Sequence, residues 1–565
     1  MGFVQSLPTH TNLVDRIRER AREDRAITFV TAPGGPQRVS WAEIHHDAKA
    51  MAASFQARGI GPDHQIAVLG PTSRALVTAI QATWLAGAAV VVLPLPMRLG
   101  SLDQFVEATR LRIKNARASL VVVDPDLAAF IDSQPGDPPL VSLADLQPGK
   151  PWYPGAEAWV PPAINSDSLA ILQFTSGSTA DPKGVMLPHG TLCNNLDAIA
   201  IGVQIDTEAE VCVSWLPLYH DMGLIGLFTA PMSLGLELVL AAPQDFVAAP
   251  GRWMQWMSDY RGTASAAPNF AYALSARALG RMEGLDLSAW KVGLNGAEPV
   301  DPATVEAFVA AATPHGMNPG AVFCAFGMAE ACLAVDFPPV GRGMLTDCVD
   351  RDVLETNRFA SVVDPNHPNA RRFAKLGAAV AGLELRIVDP VDGLLMTERE
   401  VGELQIRGTS ITSGYFDRPD ATAETFDDEW LKTGDLAYLV EGELVVCGRI
   451  KDMIIVGGRN VFPEDVERAV GVINSVRTGN GIAFGVLEHQ RSGREGLVVV
   501  AETRPDAELD SLRVEVSRTV RESIGFAPSE VILVQAGTLP KTSSGKLQRN
   551  LCRSLYQAND LSIVN

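Results

Sequence analysis

Residues 169–184 read Leu-Ala-Ile-Leu-Gln-Phe-Thr-Ser-Gly-Ser-Thr-Ala-Asp-Pro-Lys-Gly. The apolar run Leu169–Leu172 predicts a buried strand. After it come Thr175, Ser176, Gly177, Ser178 and Thr179. Small hydroxyl residues and glycines free backbone N–H groups to wrap around phosphate oxygens, and Lys183 adds a point charge. No G-x-x-x-x-G-K-[ST] is present, so this is not a Walker A loop. By composition alone, a flexible surface turn fits equally well.

Outward from that loop, helical and strand patterns alternate. Ser40 and Glu43 make a capping box. Ile44, Ala48, Met51, Ala52 and Phe55 then recur at helical spacing, and Gly59 can close the helix. Ile66–Leu69, Leu120–Val123, Val211–Trp215, Leu238–Ala241 and Lys291–Leu294 read as buried strands. This interleaving predicts parallel α/β sheets. The stretch Leu76–Leu95 is apolar but interrupted by Thr78, Gln81, Thr83, Gly87 and Pro94. A buried helix ending near Gly87 and a strand over Ala88–Leu93 explain it better than a membrane span.

The pattern changes near residue 376. Leu383–Val388, Gly402–Ile406 and Glu443–Val446 are short strands bounded by Gly, Pro and Asp, which suggests a β-rich subdomain. Beyond a joint at Gly448–Asp452, Val466–Ile473 and Leu512–Ile524 read as helices. Ile482–Val486 and Leu497–Thr503 read as strands. The expected organisation is a large domain over 1–448, with the β-rich part at about 376–448, a hinge at 449–452 and a small α+β domain over 453–565.

The 565 residues carry a formal net charge of -19. A single core stops growing near about 250–300 residues, so more than one domain is expected. The acidic balance argues against a duplex nucleic-acid partner, and anions must be bound locally by a few placed amides and cations. The seven cysteines include no C-x-x-C pair and their count is odd. That usage fits a reducing cytoplasm, with neither a disulfide framework nor a zinc site. The start MGFVQSLPTH lacks a basic stretch followed by an apolar run, so no signal peptide is expected.

Further motifs follow the glycine-rich loop in order: NGAEP at 295–299, FGMAE at 326–330, TGD at 433–435, GRIKD at 448–452 and PKTSSGK at 540–546. Together they resemble the adenylate-forming superfamily, which includes acyl-CoA synthetases, luciferases and nonribosomal peptide adenylation domains. The resemblance implies ATP and Mg2+ as reactants, with a carboxylate attacking the α-phosphorus. It implies that Glu330 holds the metal. Phe326 would stack on adenine where the family usually has tyrosine, beside Gly327 and Met328. Gly296, Ala297 and Glu298 would form the opposite adenine wall. Asp435 and Arg449 would hold the ribose, Lys451 would be the hinge residue, and Lys546 would reach the reacting carboxylate and the α-phosphate. Lysine is scarce in this chain, yet Lys183, Lys451, Lys541 and Lys546 all fall inside motifs.

The segment 215–226, Trp-Leu-Pro-Leu-Tyr-His-Asp-Met-Gly-Leu-Ile-Gly, is similar to the fatty acyl-AMP ligases, mycobacterial members included. It would put His220 beside the reacting carboxylate and an acyl tunnel. That subfamily carries an extra segment where Asp347–Lys375 stands here, a polar, Pro/Asn-rich stretch that otherwise reads as a long surface loop. The implied acyl acceptor is the phosphopantetheine arm of an acyl carrier protein or polyketide synthase. Two alternatives stand beside this reading: a fatty acyl-CoA synthetase and a non-catalytic nucleotide- and lipid-binding regulator. The chain departs from the subfamily pattern at Cys324–Gly327, Val456–Asn460 and Lys375–Gly377.

Overall fold

The computed structural model describes residues 7–96, 102–131, 134–175, 182–456, 459–487, 495–505, 507–542 and 545–564. Its first two layers are α/β sheets. One has six strands in the order Leu140–Ser142, Leu120–Val123, Gln65–Leu69, Ala89–Val92, Leu169–Phe174 and Gly184–Pro188. The other has seven, running from Val322–Cys324 through Val292–Asn295, Ala264–Ala267, Val211–Ser214, Glu237–Leu240 and Ala26–Phe29 to Gln37–Ser40. In each sheet only the last strand is antiparallel to its neighbour. Strands such as Gln65–Leu69 and Leu120–Val123 are buried along their whole length. Helices cover both faces of such strands, which is why they read as unbroken apolar runs and not as alternation.

Local signals act as expected at several ends. Ser40 Oγ accepts from Glu43 N at 3.1 Å, and Ile44, Ala48, Met51, Ala52 and Phe55 are all buried. The capping box is only half made, because the Glu43 carboxylate pairs with Arg74. The helix Arg74–Ala86 ends on Gly87 at φ +91°, where a Cβ would meet Pro162 at 2.8 Å. Glycine is the residue that takes such a turn without strain. The strand Ala89–Val92 follows, and no helix among the described residues is long and apolar enough to cross a membrane.

An aromatic cluster packs under the seven-stranded sheet. Trp215 stacks on Phe246 with centroids 3.7 Å apart, and Trp253 meets Tyr272 and Trp290 edge-on at 5.3 and 5.5 Å. Such pairs contribute roughly 0.5–1.5 kcal/mol each beyond the area they bury. The two sheets are joined beside the site: Gln173 Nε2, on the six-stranded sheet, donates to Tyr219 O at 2.9 Å.

The β-rich part is an antiparallel sheet of Leu383–Val388, Gly402–Gly408, Trp430–Val440, Phe426–Asp427 and Glu443–Arg449. The last strand runs through Arg449, three residues beyond the sequence expectation, into a single 3₁₀ turn at Ile450–Asp452. The C-terminal part is a three-stranded sheet, Val476–Leu487, Glu495–Thr503 and Glu530–Val534, packed by the helices Pro463–Gly471 and Leu509–Ile524.

The stretch Asp347–Lys375 is more ordered than its composition suggests. It holds the strand Thr346–Asp350, the helix Arg351–Asn357 and the strand Ala370–Ala374, the two strands pairing antiparallel. It also touches the C-terminal part at several points. Arg459 pairs with Asp352 at 2.8 Å and with the fully buried Glu355. Asn460 Nδ2 donates to Glu355 O at 2.9 Å, and Arg351 donates to Ser523 O. The Arg371 guanidinium lies 4.3 Å from the Phe373 ring and 4.2 Å from the Phe462 ring, and pairs with Asp465 at 3.1 Å.

Candidate active site

Among the described residues, His220, Gly296, Ala297, Phe326, Gly327 and Lys546 line one cavity, and Met328 and Glu330 line a second. The glycine-rich loop joins two antiparallel strands, Leu169–Phe174 and Gly184–Pro188, and does not open into a helix as a Walker A loop does. Thr175 N donates to Lys183 O at 3.3 Å across its base. Ser176, Gly177, Ser178 and Thr179 lie outside the described residues. Lys183 Nζ stands 5.0 Å over the Tyr415 ring.

Tyr415 belongs to none of the sequence motifs. Its hydroxyl donates to Glu330 Oε1 at 2.8 Å. The backbone beneath is fixed as well, since Thr412 N donates to Glu330 O at 2.7 Å. Burial pushes the Glu330 carboxyl above the usual carboxylate range, and the Tyr415 hydrogen bond works against that. The only sequence signal for Tyr415 was one aromatic residue in a Ser-Gly-Tyr-Phe turn.

The FGMAE loop is tightly folded. Phe326 N donates to Asp336 Oδ1 at 3.0 Å, and Met328 N donates to Leu333 O at 2.9 Å. A Cβ on Gly327 would meet Leu333 O at 2.1 Å, so only glycine permits this closure. Cys332 takes φ +64° and ψ -59°, and Leu333 N bonds back to Ala331 O at 2.8 Å. That is a γ-turn of the rare, strained hand, placed two residues from Glu330. Across from this loop, Ala297 has φ +68° and a Cβ on Gly296 would sit 2.9 Å from Ala325 O. Glu298 has a structural task besides its expected place in the adenine wall. Its Oε1 accepts from Phe270 N at 2.7 Å, at the start of a helix that has no side-chain cap of its own.

Asp435 and Arg449 face each other on paired strands, with Arg449 Nε 3.0 Å from Asp435 Oδ1. Asp435 is buried, and burial raises its carboxyl above the ordinary value although Arg449 opposes the shift. Lys451 is exposed in the 3₁₀ turn two residues further on.

His220 Nδ1 lies 2.6 Å from Asp221 Oδ1, and Asp221 also accepts from Met222 N at 2.7 Å. The 215–226 motif contains Asp221, but nothing in its sequence marks this carboxylate as the partner of His220. Burial pushes its carboxyl up, but His220 and Lys546 outweigh burial and bring it to about 2. Lys546 arrives on the C-terminal part, on a tight loop in which its N–H donates to Thr542 Oγ1 at 3.0 Å. Burial lowers the Lys546 ammonium, while Asp221, Glu298 and Asp435 pull it back up.

Behind His220, Lys546 and Gly296 runs an apolar cavity that reaches Ile205, Cys212 and Phe337. One wall is a π-helix, Met222–Thr229, continuing into Ala230–Leu234. Its lining residues are Met222, Gly226, Leu227, Ala230 and Pro231. That is a spacing of i, i+4, i+5, i+8, i+9, the face of a helix wound wider than an α-helix. Such a face matches neither the 3.6-residue period of an α-helix nor the two-residue period of a strand.

Among the described residues no three His, Cys, Asp or Glu side chains gather as a metal cage. Glu330 supplies one buried carboxylate. One protein carboxylate completed by phosphate oxygens and water is the usual way Mg2+ is held beside a nucleotide, so the residues present fit that ion.

This assembly on this fold is that of an adenylate-forming enzyme. The family model described as "AMP-binding enzyme" matches residues 14–416, and the chain belongs to that family. It is 38% identical over 526 residues to a putative ligase, Rv1013, of Mycobacterium tuberculosis, covering 92% of this chain and 94% of that one. It is 32% identical to JamA, a medium-chain-fatty-acid–[acyl-carrier-protein] ligase of Moorena producens, over 97% of this chain and 95% of the relative. A chain solved in studies of fatty acyl-adenylate ligases from E. coli and L. pneumophila superposes with TM-score 0.90 at 28% identity, covering 97% of this chain and 98% of that one.

Proposed function

We propose that the protein is a fatty acyl-AMP ligase. It joins a medium- or long-chain fatty acid and ATP into acyl-AMP and pyrophosphate, then passes the acyl group to the phosphopantetheine thiol of an acyl carrier protein or polyketide synthase. The observation that carries this reading is the apolar cavity whose mouth is lined by His220 and Lys546. A cavity so lined takes an alkyl chain and presents its carboxylate to the reacting groups.

In the first step a carboxylate oxygen attacks the α-phosphorus and the bond to pyrophosphate breaks. Two anions must approach, so the protein has to neutralise charge and hold the groups in line. Lys546 would lie between carboxylate and α-phosphate with its three donors. Asp221 accepts from His220 Nδ1 and so fixes the ring beside the place where the carboxylate would lie. The glycine-rich loop and Lys183 would hold the β- and γ-phosphates. Phe326 and Gly296–Ala297 would hold adenine, and Asp435 with Arg449 the ribose. Bound Mg2+, held by Glu330, would neutralise phosphate charge. In the second step the thiol attacks the acyl carbonyl carbon and AMP leaves. We read Lys451 as the residue about which the C-terminal domain turns between steps, and residues 1–448 and 453–565 as the two moving bodies.

The grip of the Asp347–Lys375 stretch on the C-terminal part favours the carrier-protein acceptor over CoA. The Arg459, Asn460, Arg351 and Arg371 contacts resist that turn, a cost that a docking carrier protein can offset with its own interface and that free CoA cannot. All seven cysteines are free, in keeping with a cytoplasmic enzyme.

The test is a radiolabelled fatty acid with ATP, Mg2+ and enzyme, with CoA or holo-acyl carrier protein added in parallel. Acyl-AMP that persists with CoA and moves to the carrier supports the reading. Rapid acyl-CoA formation makes the protein a conventional synthetase. Absence of any acyl-AMP overturns the catalytic reading altogether.

A further inference from the structure

The cavity follows two parallel strands, Ala264–Ala267 and Val292–Asn295. Ala264, Ser265 and Ala266 line it from one, Val292 and Leu294 from the other. The Ser265 side chain is turned away, its Oγ donating to Val213 O at 2.7 Å and accepting from Trp253 Nε1 at 3.0 Å, so the side chains that face the cavity are those of Ala264, Ala266, Val292 and Leu294. These are alternate positions, so one face of the sheet forms the wall. The mouth lies just past the C-terminal end of the strands, at Gly296. The far end lies at their start, where Ala264 pairs with both Val292 and Cys212. From Gly296 back to Val292 is four residues, or about 13 Å at the rise of a strand. An extended chain gains roughly 3.3 Å for every three backbone bonds, so about 13 Å holds a straight chain of about ten to twelve carbons.

Phe337 also lines the cavity and shares an apolar cluster with Ala264 and Val292 at the start of the strands. A Cβ on Gly202 would come 2.6 Å from Phe337 Cδ2, so the ring rests against a position with no side chain. Phe323 meets the ring edge-on at 6.0 Å and 83°. The backbone under Phe337 is fixed too. It pairs with Ala378–Ala379, and Gly377, at φ +92°, lies so close that a Cβ there would sit 2.2 Å from Phe337 C. Leu333 and Gly226 line the cavity together, and Leu333 Cδ2 stands 2.8 Å from where a Cβ on Gly226 would be, a waist kept open by the missing side chain.

We infer that this cavity is a ruler for straight acyl chains of about ten to twelve carbons, with Phe337 as its end stop and Gly226 as its waist. The inference rests on the fatty-acid reading above and adds the length of the substrate. The test is the rate of acyl-AMP formation over a series of saturated acids from six to eighteen carbons, for wild type, Phe337→Ala, Phe337→Leu and Gly226→Val. Wild type is expected to peak in kcat/KM at ten to twelve carbons. Phe337→Ala should move the peak two to four carbons longer and raise the sixteen- to twelve-carbon ratio at least about tenfold, since a methylene in an apolar pocket is worth roughly that much. Phe337→Leu should move it less in the same direction. Gly226→Val should move it shorter. A wild-type peak at sixteen or eighteen carbons, or identical profiles in wild type and both Phe337 variants, overturns the ruler. If wild type adenylates no fatty acid of any length, the fatty-acid reading fails and the ruler with it.

Discussion

At the scale of single residues, Lys546 and Tyr415 bear the sharpest expectations. Lys546→Ala should lower ATP-dependent pyrophosphate release by roughly 10²–10³-fold, the usual loss for one group aimed at developing charge, with the circular dichroism spectrum unchanged. Burial lowers the Lys546 ammonium, so its proton leaves below the ordinary lysine value. Activity that needs the charged form is present below that pKa and is lost as pH rises through it. The alkaline arm of the rate profile should therefore lie below the free-lysine range, and Lys546→Arg should move it upward, since arginine stays charged. Tyr415→Phe removes the donor to a buried Glu330 oxygen. An unsatisfied buried acceptor costs about 1–3 kcal/mol. Titration of the variant with Mg2+ and ATP should show an apparent KM raised roughly tenfold. An unchanged KM would mean that Glu330 does not depend on Tyr415 for its placement.

At the scale of elements, the contacts between Asp347–Lys375 and the C-terminal part are open to dissection. Glu355 is fully buried and held by Arg459. Arg459→Met strands that charge, at a cost of about 3–5 kcal/mol to the interface. Hydrogen exchange should speed up in both the helix Arg351–Asn357 and the strand Arg459–Val461, and thioester formation with CoA should rise from its wild-type level. Faster exchange with no change in CoA use would show that the grip is not what excludes CoA. The same contacts explain why this stretch was hard to read. Its side chains are polar because they form ion pairs across an interface, and a polar Pro/Asn-rich run without periodicity looks like a loop. The parallel strands were legible for the opposite reason: burial on both faces forces apolar residues at every position. The π-helix escaped because its lining repeats near 4.5 residues. The roles of Asp221 and Tyr415 escaped because each acts through a neighbour: Asp221 lies inside the 215–226 motif but holds His220, and Tyr415, outside every motif, holds Glu330. Glu330, Lys546 and Asp435 were found through motif order, since none carries a periodic signal.

At the scale of the whole molecule, acid should weaken the fold before it disrupts the carboxylate pairs. Burial lowers His189 and His45 to about 4. His189 Nδ1 accepts from Leu13 N at 3.2 Å, which needs the neutral ring and ties the N-terminal helix Leu13–Arg20 to the six-stranded layer. In the unfolded chain each histidine takes its proton near about 6.5. Between about 6.5 and about 4 the unfolded state binds the extra proton, so stability falls as pH falls through that window. At pH 5 the loss should be roughly 2 kcal/mol per histidine, at about 1.4 kcal/mol per pH unit. Urea midpoints measured at pH 7 and pH 5 check this, and His189→Gln should flatten part of the slope. Equal slopes for wild type and the variant would place the acid sensitivity elsewhere.

The two walls of the apolar cavity are graduated differently. On the strand side, the residues that face it recur every second position, about 6.6 Å apart. A substitution at Ala264 or Ala266, or at Val292 or Leu294, therefore changes the accommodated chain in steps of about half a dozen bonds. On the helical side, Gly226 and Leu227, and again Ala230 and Pro231, are adjacent in sequence and offset along the axis by no more than the α-helical rise of about 1.5 Å. The sheet thus sets the coarse mark and the helix the vernier. Redesign of substrate length in small increments belongs on the helix, where neighbouring positions differ by about one carbon.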